Sequence, residues 1–396
     1  MISSLLSKKA VSILLPSLLL TVPCLGFARS PVKTAEDVSL LSATEIAHAL
    51  FAKDVQSDTV PGISVAIAGR EGIIWAEGFG WADLENKVPV SILTKMRIGS
   101  VAKPLTAAAL MRLYEQGKVD LDKDIRSYVP AWPDKNDAVT LRQLTSHTAG
   151  IRHYEGNEFL SNQSYPTVTS SLDIFKDSPL EFAPGTEFNY STYGWTLISA
   201  AMEGADGGSS FKQIMEQEVF NPLNMNDTAF DEPYEIIPNR QRPYSIQDGK
   251  LVNSPQTDHS YKWAGGGFIA STSDIARFAM AHISGDYLNQ DTVEQVFRKA
   301  KTNDGTTVDF GIGWQIGFGR YRESYADNAE AIRLMNEHPN SVMHSGGSMG
   351  GTTMMILCRD HHRAVVVVKN VSGSKVGRPL VLALKTLDAF SQHQKD

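Results

Sequence analysis

The two ends of the chain carry the same pattern, and this pattern limits the possible folds more than any other feature. Each end has two β-rich runs separated by a short turn; the runs lie at 62–68 and 73–79, and at 352–357 and 364–369. Two such runs around a short turn are typical of a β-hairpin. A helical pattern of apolar residues precedes the first pair of runs, and another closes the chain. Both ends are therefore predicted to supply strands and a helix.

The middle of the chain, from about Ser100 to Ile275, is richer in helical segments and loops. A sheet built from both ends needs helices to cover its apolar faces. We therefore predict the α/β class, as an α+β sandwich: an antiparallel sheet from both termini, flanked by helices, with a mostly helical lobe inserted. The predicted sheet lobe covers about 35–99 and 276–396, and the predicted helical lobe covers about 100–275.

The first 28 residues have the features of a secretory signal peptide. A positive start at Lys8-Lys9 precedes an apolar run at 10–25. Gly26 and Ala28 then place small residues ahead of the cleavage point. The run is shorter than the roughly 20 apolar residues that span a bilayer, so cleavage is predicted rather than anchoring. The mature domain, 29–396, is then expected to be secreted or periplasmic, with no stable membrane span.

Charge and cysteine content exclude further classes. The formal net charge is −7, and no basic stripe is present, so nucleic acid is not an expected partner. Of the two cysteines, Cys24 is removed with the signal, which leaves Cys358 alone and rules out an intrachain disulfide in the mature domain. Cys358 follows an apolar run, which favours a buried small hydrophobe over a catalytic thiol.

The pattern Ser-x-x-Lys is the first sign of chemistry, because residues three apart on a helix share a face and a nucleophilic Ser needs a base within reach. Within residues 35–396 it occurs as Ser100/Lys103, Ser209/Lys212 and Ser372/Lys375. Only the first pair opens a strongly apolar helix, with Pro104 in its first turn. A Lys in that position is desolvated, which lowers its pKa and frees it to accept a proton. The alternative, that Ser100 is only a helix cap, stays open on this motif alone.

Further motifs give this region a specific resemblance. The stretch around Ser100 and Lys103 resembles the first motif of serine β-lactamases and penicillin-binding proteins of the class C type. Tyr190-Ser-Thr resembles the second motif of that family, and His344-Ser345-Gly346 resembles the third, in the same order along the chain. The similarity runs from roughly residue 61 to the C-terminal helix.

The resemblance implies a serine hydrolase that forms an acyl-enzyme on Ser100. Lys103 and Tyr190 would share the proton transfers. His344, Ser345, Gly346 and Gly347 would bind substrate, and the backbone N–H groups of Ser100 and Gly347 would form the oxyanion hole. The expected substrate is an amide or ester, such as a small molecule or a cell-wall peptide. No metal or organic cofactor is predicted.

Two departures from the family pattern bear on the substrate. Thr192 stands where many relatives have Asn, and it cannot offer the amide donor that binds an acylamido carbonyl. His344 replaces Lys and lacks a reliable positive charge near neutral pH. Both changes argue against efficient β-lactam hydrolysis, with weak activity left open. The motifs also resemble those of mitochondrial serine β-lactamase-like proteins, which implies a peptidase.

A second serine has the pattern of a nucleophile. Ser348 lies in a Gly-x-Ser-x-Gly sequence, which in α/β-hydrolases needs a strand before the serine and a helix after it. A strand pattern follows at 352–357 instead. The downstream His361 and His362 lie in a tight turn, so this alternative is disfavoured.

Other candidates are weaker. His147 is a possible triad base but is better explained as a structural His. The pair His361-His362 is of a type that binds metals, yet no His-Glu-x-x-His motif or carboxylate cluster accompanies it. Gly265 to Gly267 favours a turn that lets substrate approach the backbone. The neighbouring Tyr261 and Trp263 fit either a pocket or the core.

Two questions are left open by the sequence. A charged helical segment at 318–340 precedes the third motif and suggests a lid or a contact surface, with no residue assigned. The competing functional class is a non-catalytic binding or sensor module of the penicillin-recognising type. Retention of Lys103 and Tyr190 favours the enzyme.

Overall fold

The computed structural model describes residues 38–57, 59–373, 376 and 379–391. The predicted signal peptide, 1–28, lies outside these residues. The strands are β1 (Gly62–Gly69), β2 (Gly72–Asp83), β3 (Val88–Pro89), β4 (Met96–Arg97), β5 (Thr228–Phe230), β6 (Tyr244–Gln247), β7 (Lys250–Asn253), β8 (Phe268–Ala270), β9 (Gln315–Ile316), β10 (Ser341–Ser348), β11 (Gly351–Cys358), β12 (Arg363–Lys369) and β13 (Val371–Ser372).

The helices vary from single turns to four turns or more. They are α1 (Val38–Asp54), α2 (Ala102–Glu115), α3 (Leu141–Thr145), α4 (Val168–Ser171), α5 (Tyr193–Asp206), α6 (Phe211–Met215), α7 (Trp263–Gly266), α8 (Thr272–Ser284), α9 (Gln290–Val296), α10 (Gly319–Ser324), α11 (Ala329–Glu337) and α12 (Leu380–Ser391). Short 3-10 turns lie at Gly99–Val101, Ile125–Ser127, Glu158–Leu160, Leu172–Ile174 and Ser260–Lys262, and a π-helical turn at Glu216–Phe220.

The main sheet has seven strands in the order β3-β2-β1-β12-β11-β10-β9, and neighbouring strands are antiparallel. Both predicted hairpins form, as β1–β2 and as β11–β12. The two ends of the chain meet where β1 pairs with β12, from Ile63 opposite Lys369 to Ala68 opposite Ala364. The predicted fold class, with an antiparallel sheet from both termini and helices around it, is confirmed.

The central strands β1 and β12 are buried on both faces, which is why they are continuous apolar runs instead of alternating ones. Side chains alternate between the faces along each strand. Val65 and Val367 pack with α1, α11 and α12 in one core cluster. Ala66 and Val366 face the other way and belong to a larger cluster that includes α2, α5 and α8.

The chain between β3 and β9 contains helices α2 to α9 and the small three-stranded sheet β4-β8-β5. It also contains β6 and β7, which form a second three-stranded sheet, β13-β6-β7, with β13 from the C-terminal end. Helix α2 lies inside the larger core, and its residues from Ala102 to Met111 are all buried. The division of the chain into a sheet lobe and a helical lobe at the predicted boundaries stays a prediction.

The segment at 318–340 forms α10 and α11, with a turn between them. Leu334 and Met335 of α11 are buried in the cluster that also holds α12. Most of the charged side chains of this segment are exposed. Within the described ranges, no helix is both long enough and apolar enough to cross a lipid bilayer.

Candidate active site

Ser100 lies at the point where the chain enters α2. It belongs to the 3-10 turn Gly99–Val101, which leads directly into the helix, and it is half-buried. Gly99 has a φ of +52°, and a Cβ there would lie 2.6 Å from the carbonyl oxygen of Gly347. A side chain is therefore excluded at Gly99 by backbone conformation and by space. The close approach brings the start of α2 against the third-motif strand β10.

Lys103 lies one helical turn after Ser100, and its side chain is fully buried. Its Nζ donates hydrogen bonds to Ser100 Oγ at 3.1 Å, to Thr192 Oγ1 at 3.1 Å and to the carbonyl oxygen of Gly265 at 2.7 Å. Burial, with a smaller contribution from the charge of Lys262, holds the pKa of Lys103 well below its ordinary value. No carboxylate of the described residues forms an ion pair with it to oppose that shift.

The contacts of Lys103 define what its neutral form can do. A neutral amine has two N–H groups and one lone pair. The carbonyl of Gly265 can only accept a hydrogen bond, so one N–H is committed there. With the second N–H directed to Thr192, the lone pair is left for the hydroxyl proton of Ser100. The geometry is that of a base beside a nucleophile.

Tyr190 completes the group. Lys103 Nζ lies 4.9 Å from the centre of its ring. Burial raises the pKa of Tyr190, and a hydrogen bond with Ser100 acts in the opposite direction. The phenol is therefore protonated at neutral pH and can donate a proton. The structure thus brings Ser100, Lys103 and Tyr190 together, although the second motif is far from the first in the sequence.

Two histidines hold the second motif in position. The ring of His147 stacks on that of Tyr190 with 4.3 Å between centres, and its Nδ1 accepts a hydrogen bond from the backbone N–H of Ser191 at 3.1 Å. His153 Nδ1 accepts from the N–H of Thr192 at 3.2 Å. Because both nitrogens accept, both rings are neutral; burial and the charge of Lys103 lower their pKa values, that of His153 to about 4. His147 has the structural role that the sequence favoured.

The third motif lies on β10. His344 is buried, and its Nδ1 donates to the carbonyl oxygen of Ser345 at 2.7 Å. Burial and the nearby Lys103 lower the pKa of His344 to about 3, so this position is uncharged at neutral pH. A Cβ on Gly346 would lie 1.9 Å from the carbonyl oxygen of Ile98, which makes glycine necessary there. Gly347, by contrast, is exposed, with open space beside its Cα.

This arrangement fits an oxyanion hole between Ser100 and Gly347, because the two backbone segments touch and the space next to them is open. Ser345 is half-buried on the same strand. The four third-motif residues named from the sequence therefore lie beside the nucleophile: His344, Ser345, Gly346 and Gly347. Their roles in binding stay predictions.

The competing serines have different surroundings. Lys212 pairs with Glu232 at 2.8 Å, and Ser209 precedes helix α6. Ser372 Oγ accepts from the N–H of Gly350, and Lys375 lies outside the described residues. Ser348 ends β10 and is followed by strand β11, so the strand–serine–helix context of an α/β-hydrolase is absent at this serine.

Several residues near the site were not identified from the sequence. Thr192, taken only as a departure from the family pattern, contacts the amine of Lys103. Lys262 is fully buried, its pKa is lowered by burial to about 7, and its charge acts on Lys103. Arg320, exposed on α10, acts electrostatically on Tyr190 and His344. These contacts join residues far apart in sequence, and no local motif marks them.

The Gly-rich stretch has two functions in the structure. Gly265 supplies the carbonyl that holds Lys103. A Cβ on Gly265 would lie 2.5 Å from Cγ2 of Thr192, so the absence of a side chain lets the two segments approach. Tyr261 and Trp263 are both buried members of the larger core cluster. Of the two interpretations left open for them, the core is the one that the structure supports.

Comparison with known proteins places the chain in a family. The sequence profile of the family described as Beta-lactamase matches residues 47–387. The mitochondrial serine beta-lactamase-like protein LACTB of Homo sapiens is 34% identical over 384 residues, with 75% of this chain and 68% of that protein covered. Penicillin-binding protein 4* of Bacillus subtilis is 26% identical over 327 residues, with 78% and 67% covered.

A solved structure agrees with the fold. The D-amino acid amidase from Ochrobactrum anthropi superposes with a TM-score of 0.72 at 22% identity, and the match covers 88% of this chain and 99% of that one. The resemblance inferred from the three motifs is thereby confirmed at the level of the whole domain. The chain belongs to the β-lactamase family, with the LACTB-type and penicillin-binding proteins among its relatives.

Proposed function

We propose that this protein is a serine hydrolase that cleaves amide bonds through an acyl-enzyme on Ser100. One observation carries the proposal: a fully buried amine, Lys103 Nζ, lies 3.1 Å from Ser100 Oγ with no ion-pair partner among the described carboxylates. A lysine in this setting loses its proton readily, and the neutral amine is the base that a serine nucleophile needs.

Acylation follows from these contacts. Ser100 Oγ attacks the carbonyl carbon of the substrate while its proton passes to Lys103 Nζ. The negative charge that forms on the carbonyl oxygen is stabilised by the backbone N–H groups of Ser100 and Gly347. Tyr190, protonated because burial raises its pKa, donates to the leaving nitrogen, and the C–N bond breaks. The proton on Lys103 then restores the phenol.

Deacylation uses the same groups in reverse. A water molecule takes the position of the departed amine, and Tyr190 and Lys103 together accept its proton as it attacks the acyl carbon. The ester bond to Ser100 breaks, and its oxygen recovers the proton from Lys103. Thr192 and the carbonyl of Gly265 hold the amine in place through both halves of the reaction.

The substrate class that fits best is a small amide or a peptide with a D-amino acid, including a peptide of the cell wall. Two of the similar proteins are named as a D-amino acid amidase and a penicillin-binding protein, which supports this class. The uncharged His344 and the hydroxyl of Thr192 argue against efficient β-lactam turnover as the main activity. Exposed Arg320 offers a positive charge near the site for a substrate carboxylate.

Active-site labelling tests the proposal directly. The purified protein is treated with a fluorophosphonate probe and with a fluorescent penicillin, and the modified peptide is identified by mass spectrometry. The expected result is one adduct on Ser100, absent from Ser100→Ala and retained in Ser348→Ala. Absence of any adduct, under conditions that label a class C enzyme, would favour a non-catalytic binding module.

A substrate panel then separates the hydrolytic activities. It contains D-amino acid amides, D-Ala-D-Ala peptides, p-nitrophenyl esters and nitrocefin, each assayed with wild type and Ser100→Ala. We expect the amides or peptides to be cleaved with the highest kcat/KM and nitrocefin with the lowest. A preference for nitrocefin would make the protein a β-lactamase and overturn the substrate assignment.

We also propose that the mature protein acts outside the cytoplasm, in the periplasm or beyond the cell. The support is the sequence of the first 28 residues, with its positive start, apolar run and small residues before the cut. Expression of the full chain in a bacterial host, followed by fractionation and N-terminal sequencing, tests it. The expected N-terminus is Arg29; an intact Met1 on cytoplasmic protein would contradict export.

A further inference from the structure

A second group of reactive side chains lies on the opposite side of the main sheet from Ser100. It consists of His338, directly after α11, Cys358, the last residue of β11, and His361, in the turn before β12. Cys358 belongs to the core cluster that contains α11 and α12. His338 is 1% exposed, Cys358 is fully buried and His361 is half-buried. None of the three takes part in the proposed reaction.

The three donor atoms converge on one point. His338 Nδ1 and His361 Nδ1 are 3.3 Å apart, and Cys358 Sγ lies 3.6 Å from the first and 3.2 Å from the second. Around a tetrahedral Zn²⁺, with Zn–N near 2.0–2.1 Å and Zn–S near 2.3 Å, nitrogen pairs lie about 3.3 Å apart and nitrogen–sulfur pairs about 3.6 Å. The three observed distances between donor atoms are close to those between the ligand atoms of such a zinc site.

The backbone around the triangle is fixed by contacts that do not involve the three donor atoms. Ser341 pairs with Cys358 across β10 and β11, and its Oγ donates to the carbonyl oxygen of His338 at 2.9 Å. Asn340 Nδ2 donates to Asp360 Oδ1 at 2.8 Å, which ties together the two loops that carry the histidines. The donors are therefore held in position before any ion arrives, which lowers the cost of binding.

We propose that His338, Cys358 and His361 form a binding site for Zn²⁺, with the fourth position open to a water molecule. Two imidazoles and one thiolate are a donor set that suits Zn²⁺, and three protein ligands plus water is a common coordination for it. Binding replaces the thiol proton of Cys358 with the metal and releases that proton to solvent. The competing explanation is a hydrogen-bonded triad of the same three groups without metal.

A metal here would connect two parts of the chain that matter for the active site. His338 lies close to the C-terminal end of the 318–340 segment, and β10, which carries the third motif, begins three residues after it. Cys358 and His361 belong to the neighbouring hairpin. The ion would therefore fasten the end of α11 to the sheet, without contact with Ser100 or its partners on the other face.

Metal titration of the full-length protein tests the site. After removal of metal with a chelator, Co²⁺ is added, and the absorption of the thiolate–cobalt bond and of tetrahedral Co²⁺ is recorded; Zn²⁺ is then used to displace it. We expect one equivalent of Co²⁺ with a thiolate band, full displacement by one equivalent of Zn²⁺, and a higher midpoint of thermal unfolding with Zn²⁺.

Matched variants separate the site from other ligands. His361→Gln, in a half-buried turn, removes one donor with little effect on the core and should weaken Co²⁺ binding by at least about tenfold. His362→Asn, at the next position, should bind as wild type does. Cys358→Ala should abolish the thiolate band.

Two results would overturn the assignment. The first is the absence of a thiolate–cobalt band in the wild-type protein, which would leave a hydrogen-bonded triad. The second is equal Co²⁺ affinity in wild type and His361→Gln, which would place the metal elsewhere. Circular dichroism of each variant confirms that it is folded, so that a loss of binding is not a loss of structure.

Discussion

The chain contains two fully described Ser-x-x-Lys sequences, and their environments differ in every respect that matters for catalysis. Lys103 is fully buried, and only neutral groups accept its hydrogen bonds. Lys212 is partly exposed and pairs with Glu232 at 2.8 Å. Ser100 leads directly into its helix, whereas Ser209 comes before Ser210, the residue that caps α6. The same four-residue spacing thus gives a candidate base in one place and a surface ion pair in the other.

This contrast indicates that desolvation, and not spacing, leaves a lysine neutral and able to accept a proton. An ion pair with a carboxylate favours the charged amine, and burial without one favours the neutral amine. Site predictions from Ser-x-x-Lys therefore depend on what surrounds the lysine. Matched variants of the two pairs therefore differ in their expected effects.

The largest effect is expected from the serines. Ser100→Ala should lower kcat/KM for the best amide substrate by about 10⁴-fold or more, because it removes the hydroxyl proposed as the nucleophile, whose Oγ lies 3.1 Å from Lys103 Nζ. Ser209→Ala is the matched control and should change it less than twofold. Steady-state assays of both variants give the comparison. Equal losses in the two, or activity retained in Ser100→Ala, would move the nucleophile away from Ser100.

The second-largest effect is expected from substitution of the two lysines. Lys103→Ala should slow acylation by about 10²–10⁴-fold, the range expected for loss of a general base. Lys212→Ala should leave the acylation rate close to that of wild type, since its amine is engaged with Glu232. Stopped-flow measurement of probe acylation gives both rates, and circular dichroism checks the fold. Near-normal acylation in Lys103→Ala would remove it from the mechanism.

A smaller loss of activity is expected when the hydroxyl of Tyr190 is removed. Tyr190→Phe keeps the ring that stacks on His147 and removes only the hydroxyl, so kcat should fall by about 10²-fold. The loss should be larger for amides than for p-nitrophenyl esters, because an ester with a good leaving group does not need the proton. A loss of the same size for both substrates would indicate that the hydroxyl does not protonate the leaving group.

The smallest effect concerns the pH dependence. Acylation needs neutral Lys103, so its rate should rise with pH through the pKa of that amine, which burial and then the charge of Lys262 hold below the ordinary value. Lys262→Met removes this positive charge, makes protonated Lys103 less costly, and should shift the profile to higher pH. The rate at neutral pH should fall by less than about tenfold. Lys212→Met should leave the midpoint unchanged; a shift to lower pH in Lys262→Met would contradict the assigned charge effect.

The fold followed from the sequence where the signal was local. Continuous apolar runs around short turns identify the hairpins β1–β2 and β11–β12, and the helical pattern that follows the second hairpin is observed as α12 (Leu380–Ser391). The small sheet β4-β8-β5 was not foreseen, because its strands of two or three residues are too short to show a period.

The sequence motifs identified the main residues of the candidate site, but they did not predict the contacts between those residues. The structure brings Ser100, Lys103, Tyr190 and His344 together, as the family pattern implied. The support given by His153 to the second motif was not predictable, because it depends on a hydrogen bond between residues 39 positions apart. The His338–Cys358–His361 triangle was missed for the same reason: the first ligand is distant in sequence from the other two.

The pairing of β1 with β12 also governs when the molecule can fold. Ile63 pairs with Lys369, so β1 has no neighbour on one side until β12 has been made. Contacts so distant along the chain are slow to form. A ribosome-bound fragment that lacks β12 therefore cannot complete its core, and a deletion that removes β12 should prevent folding.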